Sequence, residues 1–157
     1  MDTQNKVEII PFSSDLKEHI KTLNIAWLEK YFKVEEKDKL TLSNPQEKII
    51  DKGGMIFYAR HNNEILGTAS LMKVDDSTFE LSKMAVSDDA QGLGIGNKLL
   101  EHCINVAKEN NIKTLFLYSN TILLPAIHLY RKFGFTEIPL ETGIYARADI
   151  KMEKKIT

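Results

Sequence analysis

Three glycines in five residues constrain this chain more than any other feature. Gln91–Leu100 reads QGLGIGNKLL, with glycine at positions 92, 94 and 96. A strand-like run, Phe79–Val86 (FELSKMAV), comes before it, and an amphipathic helical pattern comes after it. Glycine costs about 1 kcal/mol relative to alanine inside a helix, so three of them at a helix start need a reason. A helix start leaves several N–H groups without acceptors, and these carry the positive end of the helix dipole. With no Cβ in the way, a phosphate can come close to that backbone. The segment therefore points to a phosphate-bearing ligand. The plainer alternative is a loop that only turns the chain.

The familiar phosphate loops fit poorly. A Walker A loop requires Gly-Lys-Ser/Thr, and Gly96-Asn97-Lys98 does not supply it. A dinucleotide fingerprint reads G-x-G-x-x-G after the first strand of a parallel sheet. Here the pattern is G-x-G-x-G, and it comes after three strands expected to form an antiparallel meander: Met55–Arg60, Ile65–Lys73 and Phe79–Val86. Asn62-Asn63 and Asp75-Asp76-Ser77 supply the turns between them.

The rest of the chain reads as alternating elements. Val7–Phe12 is a first strand. Leu16, Ile20, Leu23, Trp27 and Tyr31 form a helical stripe, and Asn44-Pro45 opens a short helix through Ile50. Val34–Ser43 is charged and fits no single pattern. Its Lys33–Lys39 run (KVEEKDK) reads as a solvated face. After the glycines, Ile95, Leu99, Cys103, Val106 and Ala107 mark one helix face. Thr114–Tyr118 (TLFLY) reads as a strand buried on both faces. Ala126–Phe133 is a helix stopped by Gly134, and Phe135–Ile138 with Tyr145–Met152 forms a closing pair. A strand–helix–strand unit from Glu80 to Tyr118 implies at least one parallel pairing.

With 157 residues, the chain fits a single domain over 1–157. Its net charge of −1 provides no strong field for nucleic acid or an anionic membrane. The lone Cys103 precludes an internal disulfide and fits a reducing compartment. His19, His61, His102 and His128 show no metal-ligand spacing, so no metal is expected. The start, MDTQNKVEII, lacks a signal-peptide pattern, and no window nears the ~20 apolar residues of a membrane span. A soluble cytoplasmic protein is expected, monomeric or homodimeric.

Two separated motifs make the chain resemble the GNAT acyltransferase superfamily. Gln91-Gly92-Leu93-Gly94-Ile95-Gly96 matches the family's Gln/Arg-x-x-Gly-x-Gly/Ala signature. Ala126-Ile127-His128-Leu129-Tyr130-Arg131-Lys132-Phe133-Gly134-Phe135 matches its late Ala-Ile-x-Leu-Tyr-x-Lys-x-Gly-Phe segment. The resemblance implies a mixed α/β (α+β) fold. Its mostly antiparallel sheet of about six or seven strands is flanked by helices and splayed between strands four and five. It also implies acetyl-CoA as acyl donor and a primary amine as acceptor, reacting directly in a ternary complex.

Carried over by position, the resemblance gives the backbone from Gln91 through Gly92, Leu93, Gly94, Ile95 and Gly96, with Asn97, to the pyrophosphate. Met84, Ala85 and Val86 would pair their backbone with pantetheine, with an oxyanion-hole N–H near Val86. Ala126 and Tyr130 would also meet the cofactor, and Tyr130 would act as general acid to the departing thiolate. Glu80 matches the general base of protein-acetylating members. It is expected on a strand face shared with Ser82, Met84 and Val86, and a water chain is the alternative base. Where many members have asparagine, this chain has Leu123. Asn120 lies further back and is kept as a cofactor candidate. Cys103 reads as buried and inert, and His128 as a surface residue.

Trp27, Glu29, Tyr31, Phe32 and Tyr145 are candidates for acceptor recognition, since aromatic rings with a carboxylate can receive a cationic amine. For Trp27 the preferred reading is core packing. The acceptor class stays open among polyamine, amino acid, aminoglycoside, peptide N-terminus and lysine side chain. Two competing functions are a non-catalytic acyl-CoA sensor on the same fold and a nucleotide-binding oxidoreductase. The intact Tyr130 and Glu80 weigh against the first. The glycine spacing and the meander weigh against the second.

Overall fold

A computed structural model describes residues 6–90 and 92–156. Among these, seven strands make up one sheet: β1 (Glu8–Pro11), β2 (Met55–His61), β3 (Glu64–Lys73), β4 (Thr78–Val86), β5 (Thr114–Ser119), β6 (Thr136–Ile138) and β7 (Ile150–Lys155). Four α-helices accompany them: α1 (Lys17–Tyr31), α2 (Glu36–Ser43), α3 (Ile95–Glu109) and α4 (Leu124–Lys132). The strand order is β1-β2-β3-β4-β5-β7-β6. Every pairing among them is antiparallel except β4 with β5, the one that the α3 crossover demands. The expected meander and single parallel pair are both present. No described helix is long and apolar enough to cross a membrane.

Alternation along β2 shows how the sheet builds a core on each side. Phe57 and Ala59 join a large cluster with Leu99, Leu100, Cys103 and Ala107 of α3. Ile56 and Tyr58 point the other way, to Ile20 of α1, Leu42 of α2 and Ile49. Successive strand residues face opposite sides, so α3 covers one face and α1 and α2 the other. The Asn62-Asn63 turn has φ of 51° and 66°, positive values that asparagine tolerates. Asp75 closes the next turn by accepting N–H bonds from Ser77 and Thr78 at 2.9 Å.

Four local expectations are corrected. The ambiguous charged segment contains a helix, α2, and Asp38 accepts the Glu35 N–H at 3.0 Å at its start. The buried stripe of α1 is Ile20, Asn24 and Leu28 rather than one that includes Trp27 and Tyr31. In β5 only Leu115 and Leu117 are fully buried, while Phe116 and Tyr118 are half-buried. The last strand begins at Ile150, which leaves Tyr145–Asp149 as a loop. In that loop, side chains are committed to tertiary partners rather than to a ladder.

The segment Gln46–Ile50 winds as a π-turn, with the Asp51 N–H donating to Gln46 O at 2.7 Å. Gly54 then passes between it and β3. A Cβ on Gly54 would lie 2.6 Å from Leu71 O and 2.8 Å from Ile49 O. Both are backbone atoms that cannot swing aside. Gly54→Ala is therefore expected to destabilise the fold by about 1–3 kcal/mol, the scale of overpacking, as read by urea denaturation.

Candidate active site

The site forms where β4 and β5 part. Their ladder holds only three pairs, Thr78–Thr114, Phe79–Leu115 and Glu80–Phe116. Each strand keeps its outer partner well beyond that point. Val86 of β4 still pairs with Gly67, and Ser119 of β5 still pairs with Ile150. A cavity of about 400 Å³ occupies the opening. Its β4 side runs from Glu80 to Asp88. Trp27, Tyr31 and Phe32 line it from the end of α1, Gly96, Leu123, Ala126, Leu129 and Tyr130 from α3 and around α4, and Asp38, Tyr145 and Arg147 from α2 and the loop before β7.

A bulge in β4 decides which way its side chains point. Thr68 pairs with Ala85, but Ser70 pairs with Ser82, so Ala69 stands opposite both Lys83 and Met84. Lys83 takes a φ of 52°, a left-handed conformation uncommon for a lysine. The extra residue shifts the phase of the strand. Phe79 and Leu81 belong to the α3-side core, and past the bulge Met84 and Val86 pack on that same core. Glu80 and Lys83 reach Tyr145 and Asp38 instead. The face expected to be common to Glu80, Ser82, Met84 and Val86 is therefore split. Buried Asn24 supports the bulge, its amide donating to Lys83 O at 3.1 Å and to Ile20 O at 2.9 Å.

An ionic cluster closes the part of the cavity lined by Tyr145 and Arg147. Asp38 is fully buried, which corrects its place on the expected solvated face. Its carboxylate accepts from Lys83 Nζ at 3.0 Å and from both terminal nitrogens of Arg147 at 2.9 Å. Arg147 Nη1 also donates to Glu35 at 2.8 Å. Burial alone would raise the Asp38 pKa. The Arg147 bonds, the Glu35 N–H and the Lys83 charge outweigh it and hold the carboxyl at about 2. Burial lowers the Lys83 pKa, opposed by Asp38.

The cluster fixes the loop that carries Tyr145. That loop is also tied by Tyr118, which donates to Glu141 at 2.9 Å, and by Thr121, which donates twice to Asp149 at 2.8 Å. The Tyr145 hydroxyl donates to Glu80 Oε2 at 3.3 Å, and its ring lies 5.5 Å from the ring of Tyr118. Lys37 Nζ stands 3.9 Å from the Tyr145 ring centroid. Burial raises the pKa of Glu80, partly offset by the Lys83 charge and the Tyr145 bond.

On the α3 side, Gly94 caps the helix with φ 67° and Gly92 turns with φ 84°. Among the described residues, nothing lies within 4 Å of where a Cβ would stand on either, and no side chain caps the helix. Tyr130 faces the cavity from α4, its ring 6.0 Å from Phe135. Burial pushes its phenol up to about 12, so it is protonated at neutral pH. Cys103 is buried, its thiol pushed up to about 12 by burial, and His128 is exposed.

Of the residues expected at the site, Glu80, Met84, Ala85, Val86, Gly96, Asn120, Ala126 and Tyr130 line this one cavity. Gly92, Gly94 and Asn97 lie outside that lining and are exposed. Asn97 accepts a bond from Lys132 at 2.9 Å. Ile95 is in the core. The Leu93 N–H is directed at Ala90 O at 3.3 Å, closing a turn. Gln91 lies outside the described residues. The Asn120 amide donates to Arg147 O at 2.7 Å and its oxygen accepts the Ile122 N–H at 2.9 Å, so both ends of the side chain fasten loops. Trp27 belongs to neither core cluster and lines the cavity, contrary to its expected core role.

Sequence reasoning passed over Asn24, Asp38, Lys83, Tyr118 and Arg147. The available signals were a lysine inside an otherwise strand-like run and an asparagine at helical spacing from Ile20 and Leu28.

A family model for the Acetyltransferase (GNAT) family matches residues 20–135, so the chain belongs to that family. It is 28% identical over 116 residues to streptothricin acetyltransferase A of Bacillus subtilis (strain 168), a match spanning 74% of this chain and 65% of that protein. It is 30% identical over 112 residues to [ribosomal protein bS18]-alanine N-acetyltransferase of Escherichia coli (strain K12), spanning 71% of this chain and 72% of that one. Among solved structures, a GNAT family acetyltransferase from Staphylococcus aureus Mu50 superposes with a TM-score of 0.86 at 25% identity, covering 97% of this chain and 100% of that one. A GNAT family acetyltransferase from Elizabethkingia anophelis with acetyl-CoA bound gives 0.63 at 25% identity, covering 95% and 97%.

The cluster predicts a pH response. The Asp38 pKa falls from 3.8 to about 2 on folding. Its contribution is therefore complete above the unfolded value and lost as pH falls through the folded one. Denaturation midpoints should drop between about pH 4 and pH 2, and the drop should be shallower in Asp38→Asn. At neutral pH, Asp38→Ala leaves two cations short of a partner and should cost about 3–5 kcal/mol.

Proposed function

We propose that this protein is an acetyl-CoA-dependent N-acetyltransferase that acetylates a primary amine by direct attack in a ternary complex. The observation that carries the reading is one cavity lined by both Glu80 and Tyr130, opened by the parting of β4 and β5. Family membership supplies the reaction class.

The donor fits the residues present. Backbone groups of β4 beyond Glu80 that face away from β3 have no β5 ladder, so an extended amide-bearing arm can pair with them. The open space at Gly92 and Gly94 and the uncapped start of α3 suit a pyrophosphate. When bound, acetyl-CoA supplies an acyl group activated as a thioester.

Each site residue then has a chemical task. Glu80 takes the proton of the incoming ammonium, directly or through water, and leaves a lone pair on nitrogen. Its raised pKa makes it a stronger base than an ordinary carboxylate. A β4 backbone N–H near Val86 stabilises the oxyanion as the C–N bond forms. Tyr130 protonates the thiolate as the C–S bond breaks. Two burial-shifted groups on one cavity favour catalysis over a sensor role.

Calorimetry should show micromolar acetyl-CoA binding, with none for NADH. Gly94→Val should weaken it, because valine is strained at φ 67° and fills the cradle. A titration with no heat would overturn the reading. Tyr130→Phe should lower kcat by roughly 10- to 1000-fold with acetyl-CoA affinity little changed. In wild type the rate should rise with pH through a pKa above the usual glutamate range, and Glu80→Gln should abolish that limb. If the limb persists in Glu80→Gln, the base lies elsewhere.

A further inference from the structure

The acceptor end of the cavity carries a charge and shape pattern that selects among amines, a selection that rests on the N-acetyltransferase reading. Three carboxylates line the cavity: Asp38, Asp88 and Glu80. Asp38 is neutralised by Lys83 and Arg147, whereas Asp88 pairs with Lys30 at 2.8 Å at the exposed mouth, where such a pair is weak. Of the three, only Glu80 has no ion-pair partner among the described residues, and the reaction itself needs it. Lys37 adds a further cation above Tyr145. A second ammonium on the acceptor would thus find no free carboxylate and would face Lys37, Lys83 and Arg147. An unpaired charge in such a place is costly.

The remaining wall is aromatic. Trp27 lies 5.6 Å from both Tyr31 and Phe32, ring centroid to centroid, with tilts of 47–51°. At these distances the rings touch one another. They form a continuous apolar surface rather than a cage open for a cation, and Lys30 already sits 5.3 Å over Tyr31. Tyr31 is 43% exposed although it is large and apolar. The 400 Å³ must also take the acyl end of the donor, which leaves room for a small acceptor.

We propose that the acceptor is a small monoamine with an aromatic or similarly apolar body. The amine meets Glu80 and the body lies on Trp27, Tyr31 and Phe32. Polyamines and other polycations are disfavoured, because the buried Asp38 is already paired and Lys37, Lys83 and Arg147 face the site. A peptide N-terminus is a different occupant of the same end, and the test separates it.

The experiment is a steady-state amine panel with the full chain: tryptamine and 2-phenylethylamine, against putrescine, spermidine and a peptide beginning with alanine. Acetyl-CoA binding is measured in parallel by calorimetry. The expected result is a kcat/KM for the arylalkylamines at least about tenfold above every other amine. Trp27→Ala should raise their KM about tenfold or more with kcat and acetyl-CoA affinity little changed. Tyr31→Ala, at a half-exposed position, should move KM the same way. Equal or better use of spermidine or the peptide would overturn the proposal. So would unchanged KM in both variants, or acetyl-CoA binding without arylalkylamine turnover. Loss of acetyl-CoA binding in the wild-type protein would instead sink the acetyltransferase reading, and this proposal with it.

Discussion

A ladder that stops early organises the whole site. The parallel β4–β5 pairing ends at Glu80 and Phe116, yet both strands run on. Buried backbone groups normally find partners, so an unladdered strand edge beside a cavity calls for an extended ligand. The parting persists because neither strand depends on the other for order. β3 holds β4 through Val86, and β7 holds β5 through Ser119. The bulge at Lys83 adds a second constraint. It turns Met84 and Val86 into the α3-side core and leaves Glu80 and Lys83 to reach Tyr145 and Asp38. One extra residue thereby separates the side chains that pack on that core from those that make polar contacts across the cavity.

The Asp38 cluster has a structural logic beyond attraction. Burying Asp38 and Lys83, with Arg147 and Glu35 partly exposed beside them, is expensive, and well-packed apolar residues often stabilise as much. An ionic cluster adds direction, because Arg147 grips Asp38 through two nitrogens in a fixed fork. That grip joins α2, the β4 bulge and the loop before β7, three segments distant in sequence. It adds to the ties from Tyr118, Asn120 and Thr121 that hold the loop carrying Tyr145 against Glu80. The cluster therefore acts as a positioning device that joins these segments.

Much of the fold was legible in the sequence, for identifiable reasons. The meander, its two turns, the α3 crossover and the glycine cap arise from local pattern and turn chemistry, and the structure contains them. The misreadings share one cause: tertiary partners overrode local signals. Asp38 looked solvated among lysines and glutamates, but its partner Arg147 is 109 residues away. Trp27 sat at helical spacing with apolar residues, yet the buried stripe of α1 runs through Asn24, whose partner is a bulge carbonyl. Tyr145–Asp149 looked strand-like, but its side chains are taken by Glu80, Asp38 and Thr121. The resemblance carried by the two motifs named Glu80, Met84, Val86, Gly96 and Tyr130, which line one cavity. It carried no information on Asp38, Lys83 and Arg147, the long-range partners gathered beside Tyr145.

The same cavity also bears on proton movement in the proposed reaction. Burial raises the pKa of both Glu80 and Tyr130, but the consequences differ. For Tyr130 the shift secures the neutral phenol, the form that can give a proton to a thiolate. For Glu80 it increases basicity while Lys83 and the Tyr145 hydroxyl still favour the ionised form. A carboxylate held this way is a better match for an ammonium than an exposed glutamate. The proton leaves the nitrogen on one side of the carbonyl and another arrives at sulfur on the other. Glu80 on β4 and Tyr130 on α4 line the one cavity from different elements, so in the proposed reaction neither has to serve both steps.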